Sequence, residues 1–189
     1  MKIKARSFFL YCLACIILIA SASGCSPSKK SLLDYQDVGI EAELYGRINE
    51  VDFTASLTLQ ESDGSGDRPF KLTLLSPKTL QGIVFSRDEN GKLAVDCGDV
   101  TLDLPTTAMG AVMIADLFSI SESPTKISTV SGANESLAEY EKLTRIEFPS
   151  ATVFLAPDTS TPVKLVSDGV QIFVTSFRRL NKETQPAQQ

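Results

Sequence analysis

Residues 70–104 alternate apolar with polar side chains, and this pattern constrains the fold more than any other feature of the chain. Phe70, Leu72 and Leu74 fall on one side of an extended segment, with Lys71 and Thr73 on the other. Leu93, Val95 and Cys97 oppose Lys92, Ala94 and Asp96, and Val100, Leu102 and Leu104 oppose Thr101 and Asp103. A period of two, broken at Ser76-Pro77 and Asn90-Gly91, predicts antiparallel hairpins with one buried face and one wet face. On this parity Cys97 is expected inside, as a small hydrophobe.

The pattern extends in both directions. Ile40, Ala42 and Leu44 alternate with Glu41, Glu43 and Tyr45, although Glu-Ala-Glu-Leu also suits a helix. After a turn at Gly46 and Asn49, Phe53, Ala55, Leu57 and Leu59 alternate with Thr54, Ser56, Thr58 and Gln60. Residues 61–68 read as a polar turn; Asp63, Ser65 and Asp67 lack the downstream Glu and the length of a calcium loop. Residues 80–86 are expected as a further strand.

Pro105 stops the sheet. Thr106 or Thr107 can then cap a helix running through Met109, Val112, Met113, Ile114, Leu117 and Phe118 to about residue 120. Asp116 is its only charge, so the helix needs cover on more than one side. Its length of about 21 Å suits a helix laid across a sheet and is too short for a membrane span. Strands are expected over 126–130, 144–148, 152–155, 163–167 and 170–177, with 137–143 open between helix and strand. The fold class is α+β, mostly β.

Lys2, Lys4 and Arg6 precede an apolar run over residues 8–20, and Ser21-Ala22-Ser23-Gly24 lead to Cys25. A basic start, an apolar segment short of a span and a small-residue cleavage site make a signal peptide. A cysteine directly after Ala-Ser-Gly resembles a bacterial lipobox, with Ala22 where Leu is commonest. The resemblance implies that Cys25 carries palmitate-type acyl chains and becomes the mature N-terminus. The alternatives are an ordinary signal peptide or an uncleaved anchor with an incidental cysteine. The expected organisation is a lipoprotein signal peptide over 1–24, a lipidated N-terminus and tether over 25–37, one domain over 38–180 and a polar tail over 181–189.

Cleavage would remove three positive charges and no negative ones, moving the net charge from −5 to −8. An acidic domain of this kind disfavours nucleic acid and unaided docking on anionic lipid. Membrane attachment would come from the acyl chains on Cys25. Cys12 and Cys15 leave with the signal peptide, so Cys25 and Cys97 remain and no intramolecular disulfide is expected.

The chain contains no histidine and no tryptophan. That removes the usual general base at neutral pH, the commonest metal ligand and the histidine-dependent nucleophile triads. The carboxylates fall mainly in turns (Asp63, Asp67, Asp88, Glu89, Asp158, Asp168) or on the wet parity of strands (Glu41, Glu43, Asp96, Asp103). Residues 63–66 lack the lysine and the strand-to-helix setting of a phosphate loop. No enzyme, metal site or cofactor is expected.

The order of elements carries a resemblance. Two strands precede one ending in Leu75-Ser76-Pro77, then come Leu80-Gln81-Gly82-Ile83 and a hairpin at Gly91. An apolar helix follows Leu102-Asp103-Leu104-Pro105, and the chain closes on Pro162-Val163-Lys164-Leu165 and a strand over 171–177. This succession resembles the outer-membrane lipoprotein carrier LolA, its LolB and mycobacterial LppX-type relatives, and small firmicute lipoproteins. The resemblance implies a strongly curved antiparallel sheet, an incomplete barrel, with the apolar helix packed on its concave side. In that superfamily the hollow holds acyl chains in some members and contacts proteins in others. The LolA carrier is a soluble shuttle, whereas this chain is expected to be anchored, and the carrier's lid-controlling arginine has no counterpart here.

The expected lining of the hollow is Phe53, Leu57, Phe70, Leu72, Ile83, Phe85, Val95, Leu102, Ile172 and Val174. Met109, Met113 and Leu117 would face it from the helix. The same positions are also the default core of a closed domain. Two functions follow for a lipoprotein held outside the cytoplasm. One is non-catalytic binding of lipid or lipoprotein acyl chains. The alternative is an envelope- or germination-type interaction module with a filled core, offering its acidic face or an edge strand to a protein partner. An open apolar cavity separates the two.

Overall fold

The computed structural model describes residues 32–48, 50–61, 68–104, 109–157 and 160–180. The chain from Leu33 onward forms one compact unit. Its first half contributes strands β1 (Ile40–Ile48), β2 (Val51–Leu59), β3 (Phe70–Ser76), β4 (Val84–Arg87), β5 (Leu93–Cys97) and β6 (Val100–Leu104). Helix α1 (Met109–Asp116) follows. The second half contributes β7 (Lys126–Val130), β8 (Leu143–Glu147), β9 (Ala151–Leu155), β10 (Pro162–Ser167) and β11 (Val170–Arg179).

All eleven strands share one antiparallel sheet in the order β6-β5-β4-β3-β2-β1-β11-β10-β9-β8-β7. Each half is a run of hairpins, and the long β1–β11 pair, from Ile40 opposite Arg179 to Ile48 opposite Val170, joins them. The sheet stays open, with β6 and β7 as its edges. Because α1 lies on the connection between those two edges, the chain must cross a face of the sheet. It crosses the face that the period of two makes apolar.

On β2, Phe53, Ala55, Leu57 and Leu59 are buried and the residues between them are half-exposed. Across the register they meet Ala42, Leu44 and Ile40 of β1 and Leu72 and Phe70 of β3. Ile114 and Ala115 on α1 and Phe118 just after it are buried as well. Each fully buried large side chain contributes about 2 kcal/mol of apolar burial. Gly46 has a particular reason to lack a side chain, because a Cβ there would lie 2.7 Å from the Phe53 ring and from the Gln171 carbonyl oxygen. Phe53 thus lies across the backbone of β1.

Several expectations change. The tether was expected to reach residue 37, yet residues Asp34–Gln36 form a 3-10 turn with Tyr35 fully buried. Tyr35 meets Phe177 edge-on at 6.1 Å, and Asp34 accepts two hydrogen bonds from Arg179. The folded unit therefore begins before residue 38. The strand expected over 80–86 is only Val84–Arg87. The chain turns before it, with the Leu80 amide donating to the Pro77 carbonyl and Gly82 at φ 86°. Leu75 shares the outward parity of Lys71 and Thr73 and is exposed, and the bulge between β2 and β3 leaves it without a cross-strand partner on β2.

The described part of helix α1 ends at Asp116 rather than at about residue 120. It tightens at its end, where the Phe118 amide donates to Ala115 and the Ser119 amide to Asp116. The expected cap at Thr106 or Thr107 and the 181–189 tail lie outside the described residues, as does Cys25. Cys97 is exposed rather than buried. Its partner strand β6 is an edge, and among the described residues no further strand continues the sheet beyond it. The open assignment of 137–143 resolves as turns leading into β8, a strand at Leu143–Glu147 as expected for its second half.

The second half of the sheet is covered on both faces. Leu165, Ile172, Val153 and Ile146 are paired along one face. On the opposite face Leu143, Phe154 and Val163 pack with Leu137, and Val130, Tyr140, Ala156, Val166 and Phe173 lean on them. A register shift between Pro162 and Lys164 explains why four successive residues of β10 are buried. Lys164 Nζ donates to the carbonyl and the carboxylate of Glu135, both at 2.9 Å, and sits over the Phe154 and Phe173 rings. The Gly132–Glu135 turn is thereby fastened to the sheet.

Candidate functional site

The first half of the sheet is not filled in this way. Between α1 and strands β1–β4 lies a cavity of about 350 Å³, at the lower end of the range for small-molecule sites. Ile48, Val51 and Phe53 line it from the β1–β2 hairpin, Leu72 and Leu74 from β3, and Phe85 from β4. Pro77 and Leu80 close one side at the turn before β4, and Gly110, Ala111 and Ile114 close another from α1. Every lining side chain is apolar. Val51 and Leu80 are exposed as well as lining it, so the cavity opens to solvent between the hairpin tip and the turn. A Cβ added at Gly110 would meet no atom within 4 Å, so empty space lies directly above the helix backbone there.

The opposite end of the same interior is shut by buried cations. One cross-strand row holds Ile40, Leu59, Phe70, Arg87 and Leu93. Arg68, 2% exposed, donates to the carbonyls of Val38 and Gln60 and to Ser119 Oγ. Arg87 donates to the Arg68 carbonyl at 2.8 Å and to Asp116 at 3.2 Å, with its guanidinium over the Phe70 ring. Loss of water around Arg68 pulls its pKa down to about 10, against smaller upward pulls from Asp37 and Tyr35. These cations satisfy backbone carbonyls and tie the end of α1 to the sheet. They do not face the cavity.

The comparisons with known proteins concern the fold. No family model matches the chain, and neither does any curated protein. Among solved structures it is similar to an uncharacterized conserved protein from Thermus thermophilus, at 14% identity and a TM-score of 0.51, over 85% of this chain and 95% of that one. It is more distantly similar to a LolA superfamily protein from Nitrosomonas europaea, at 12% identity and a TM-score of 0.41, over 82% and 95% of the two chains. MucB matches at 12% identity and a TM-score of 0.44, over 87% of this chain and 64% of MucB, so this chain spans less than two thirds of MucB. An open antiparallel half-barrel with helix α1 on its apolar face is the architecture that the order of elements implied. The fold resembles that of the Thermus thermophilus protein.

Within this half-barrel, the cavity gathers Phe53, Leu72 and Phe85 from the expected lining. Leu57, Phe70, Val95, Ile172 and Leu117 are buried as core, and Ile83 and Val174 are half-buried. Leu102 has the apolar parity but is 53% exposed on the edge strand. Met113 lines a separate groove of about 320 Å³ with Asp116, Ser119, Ser121 and Glu122, on the other flank of the helix. The side chain of Met109 lies outside the described residues.

Sequence reasoning missed Ile48, Val51, Leu74, Pro77, Leu80, Gly110, Ala111 and Ile114. For Gly110 a signal was present, since a glycine inside an otherwise apolar helix costs about 1 kcal/mol against alanine and calls for a reason. Among the described residues no group of acidic or cysteine side chains is placed to hold a metal ion, and no helix is long and apolar enough to cross a membrane.

Proposed function

We propose that this protein is a lipoprotein anchored through Cys25 outside the cytoplasm, and that it holds an acyl chain of a lipid or lipoprotein in the cavity beneath α1. The observation that supports this reading is the cavity itself, lined by eleven apolar residues and open at Val51 and Leu80. Wet apolar walls have no benefit for folding, because the apolar surface they leave in water forfeits about 25 cal/mol per Å². An acyl chain is the ligand such walls suit: it needs no polar partner, and none is offered. The binding is non-catalytic; no lining residue carries a nucleophile, an acid or a base. The signal peptide and lipobox pattern of residues 1–25 support the location and the anchor.

Gly110→Leu tests the reading. The new side chain enters open space and replaces a poor helix former, so the domain should fold with stability unchanged or raised by up to about 1 kcal/mol. It should also abolish binding of a fluorescent fatty acid. Undiminished fatty-acid binding in a folded Gly110→Leu protein would place the ligand elsewhere and sink the proposal.

A further inference from the structure

The two edges of the sheet differ. At one edge, β7 reads Lys-Ile-Ser-Thr-Val: Lys126 pairs with Glu147 of β8, and Ile127 is its exposed large aliphatic residue, at 42%. A lysine on an edge strand discourages pairing with another chain. At the other edge, β6 reads Val-Thr-Leu-Asp-Leu and contains no Lys, Arg or Pro. Its Val100 and Leu102 are each 53% exposed. The register puts Val100 beside Cys97, and Leu102 beside Val95, which in turn neighbours the cavity residue Phe85. The exposed pair therefore continues the apolar face of the sheet out to an unprotected edge.

The reverse side of that edge is acidic. Thr101 and Asp103 alternate with the apolar residues, and Asp96 and Asp99 stand next to them on β5 and its turn. Residues 88–104 hold five carboxylates (Asp88, Glu89, Asp96, Asp99, Asp103) against one cation, Lys92, which pairs with Asp103 at 3.0 Å. Pairing of β6 with β6 of a second copy would bring these carboxylates together, and like charges across an interface cost affinity. The complementary occupant is basic.

We infer that β6 is a docking edge for an extended segment of a partner protein in which aliphatic residues alternate with Lys or Arg. The segment adds as a twelfth strand beside β6. Its main chain takes up the outward-facing amides and carbonyls of the edge, as in other strand-addition complexes. Its aliphatic side chains lie against Val100 and Leu102, and its cations face Thr101, Asp103 and the acidic turn. This inference is independent of the acyl-chain reading, because Val100, Thr101, Leu102 and Asp103 are not among the residues that line the cavity.

The test uses the full chain in a non-ionic detergent, with two blocked heptapeptides as probes, one alternating Lys and Val and the other alternating Glu and Val. Amide NMR shifts report the site. The Lys/Val peptide should give saturable shifts centred on residues 100–104 and weakened by salt, and the Glu/Val peptide should give none. The Val100→Lys, Leu102→Lys double variant alters only exposed side chains and should fold normally, yet bind the Lys/Val peptide at least roughly tenfold more weakly. The inference fails if neither peptide shifts β6, or if both bind equally. It also fails if the β6 shifts follow protein concentration alone, which would make the occupant a second copy.

Discussion

The strands on either side of the β1–β11 pair are built from the same alternation but put to different use. In β8–β11 both faces are packed: one against the interior, the other under the 131–142 segment held by Lys164 and Glu135. In β2–β6 one face is wet, and the other is only partly roofed by α1, which leaves a cavity beneath it. Filled strands give a fixed frame, whereas under-roofed strands give a cavity and a bare edge. Function is therefore expected where the packing is incomplete, around the cavity and the edge rather than in the filled strands.

Mutations that break this contrast should rank accordingly. Arg68→Ala strands the buried carbonyls of Val38 and Gln60 and should cost about 4 kcal/mol in denaturant unfolding. Its effect should be the same at pH 6 and pH 9. The folded-state pKa of Arg68 is lowered to about 10, below that of the unfolded chain, so at both pH values the guanidinium is charged in both states. Only as pH rises past about 10 does the folded state release the proton first and the cost of burying the charge fall.

Next, Leu143→Ala in the filled half should cost about 3 kcal/mol and leave fatty-acid affinity unchanged. Phe85→Ala, at a half-buried cavity wall, should cost only about 1 kcal/mol while weakening fatty-acid binding. That pair of variants separates stability from function; equal binding losses in both would erase the contrast. Smallest of all, Leu102→Lys should move stability by no more than about 0.5 kcal/mol, because its side chain already stands in water.

Much of the fold was legible in residue parity, since a one-residue slip in any strand would turn its apolar set outward. Phe53, Leu57, Phe70 and Leu72 all lie on the predicted face for this reason. Parity names a face but not what covers it. Cys97 and Leu102 share the parity of Val95, yet they are exposed because β6 has no neighbour beyond it. The site was legible only in part for the same reason. Which apolar residues border empty space depends on where α1 ends and which flank it turns to the sheet. That places Gly110 and Ile114 at the cavity and Met113 at a polar groove. The burial of Tyr35 was not legible at all, because a single aromatic residue in a polar stretch carries no period.

The most direct test of the central claim is native mass spectrometry of the domain from Ser26 onward, purified from cells without detergent. The account predicts a bound mass matching a fatty acid or phospholipid, lost on organic extraction and absent from Gly110→Leu. A clean unliganded mass for the unaltered domain, with cooperative unfolding, would contradict it and show that the hollow beneath α1 holds no acyl chain.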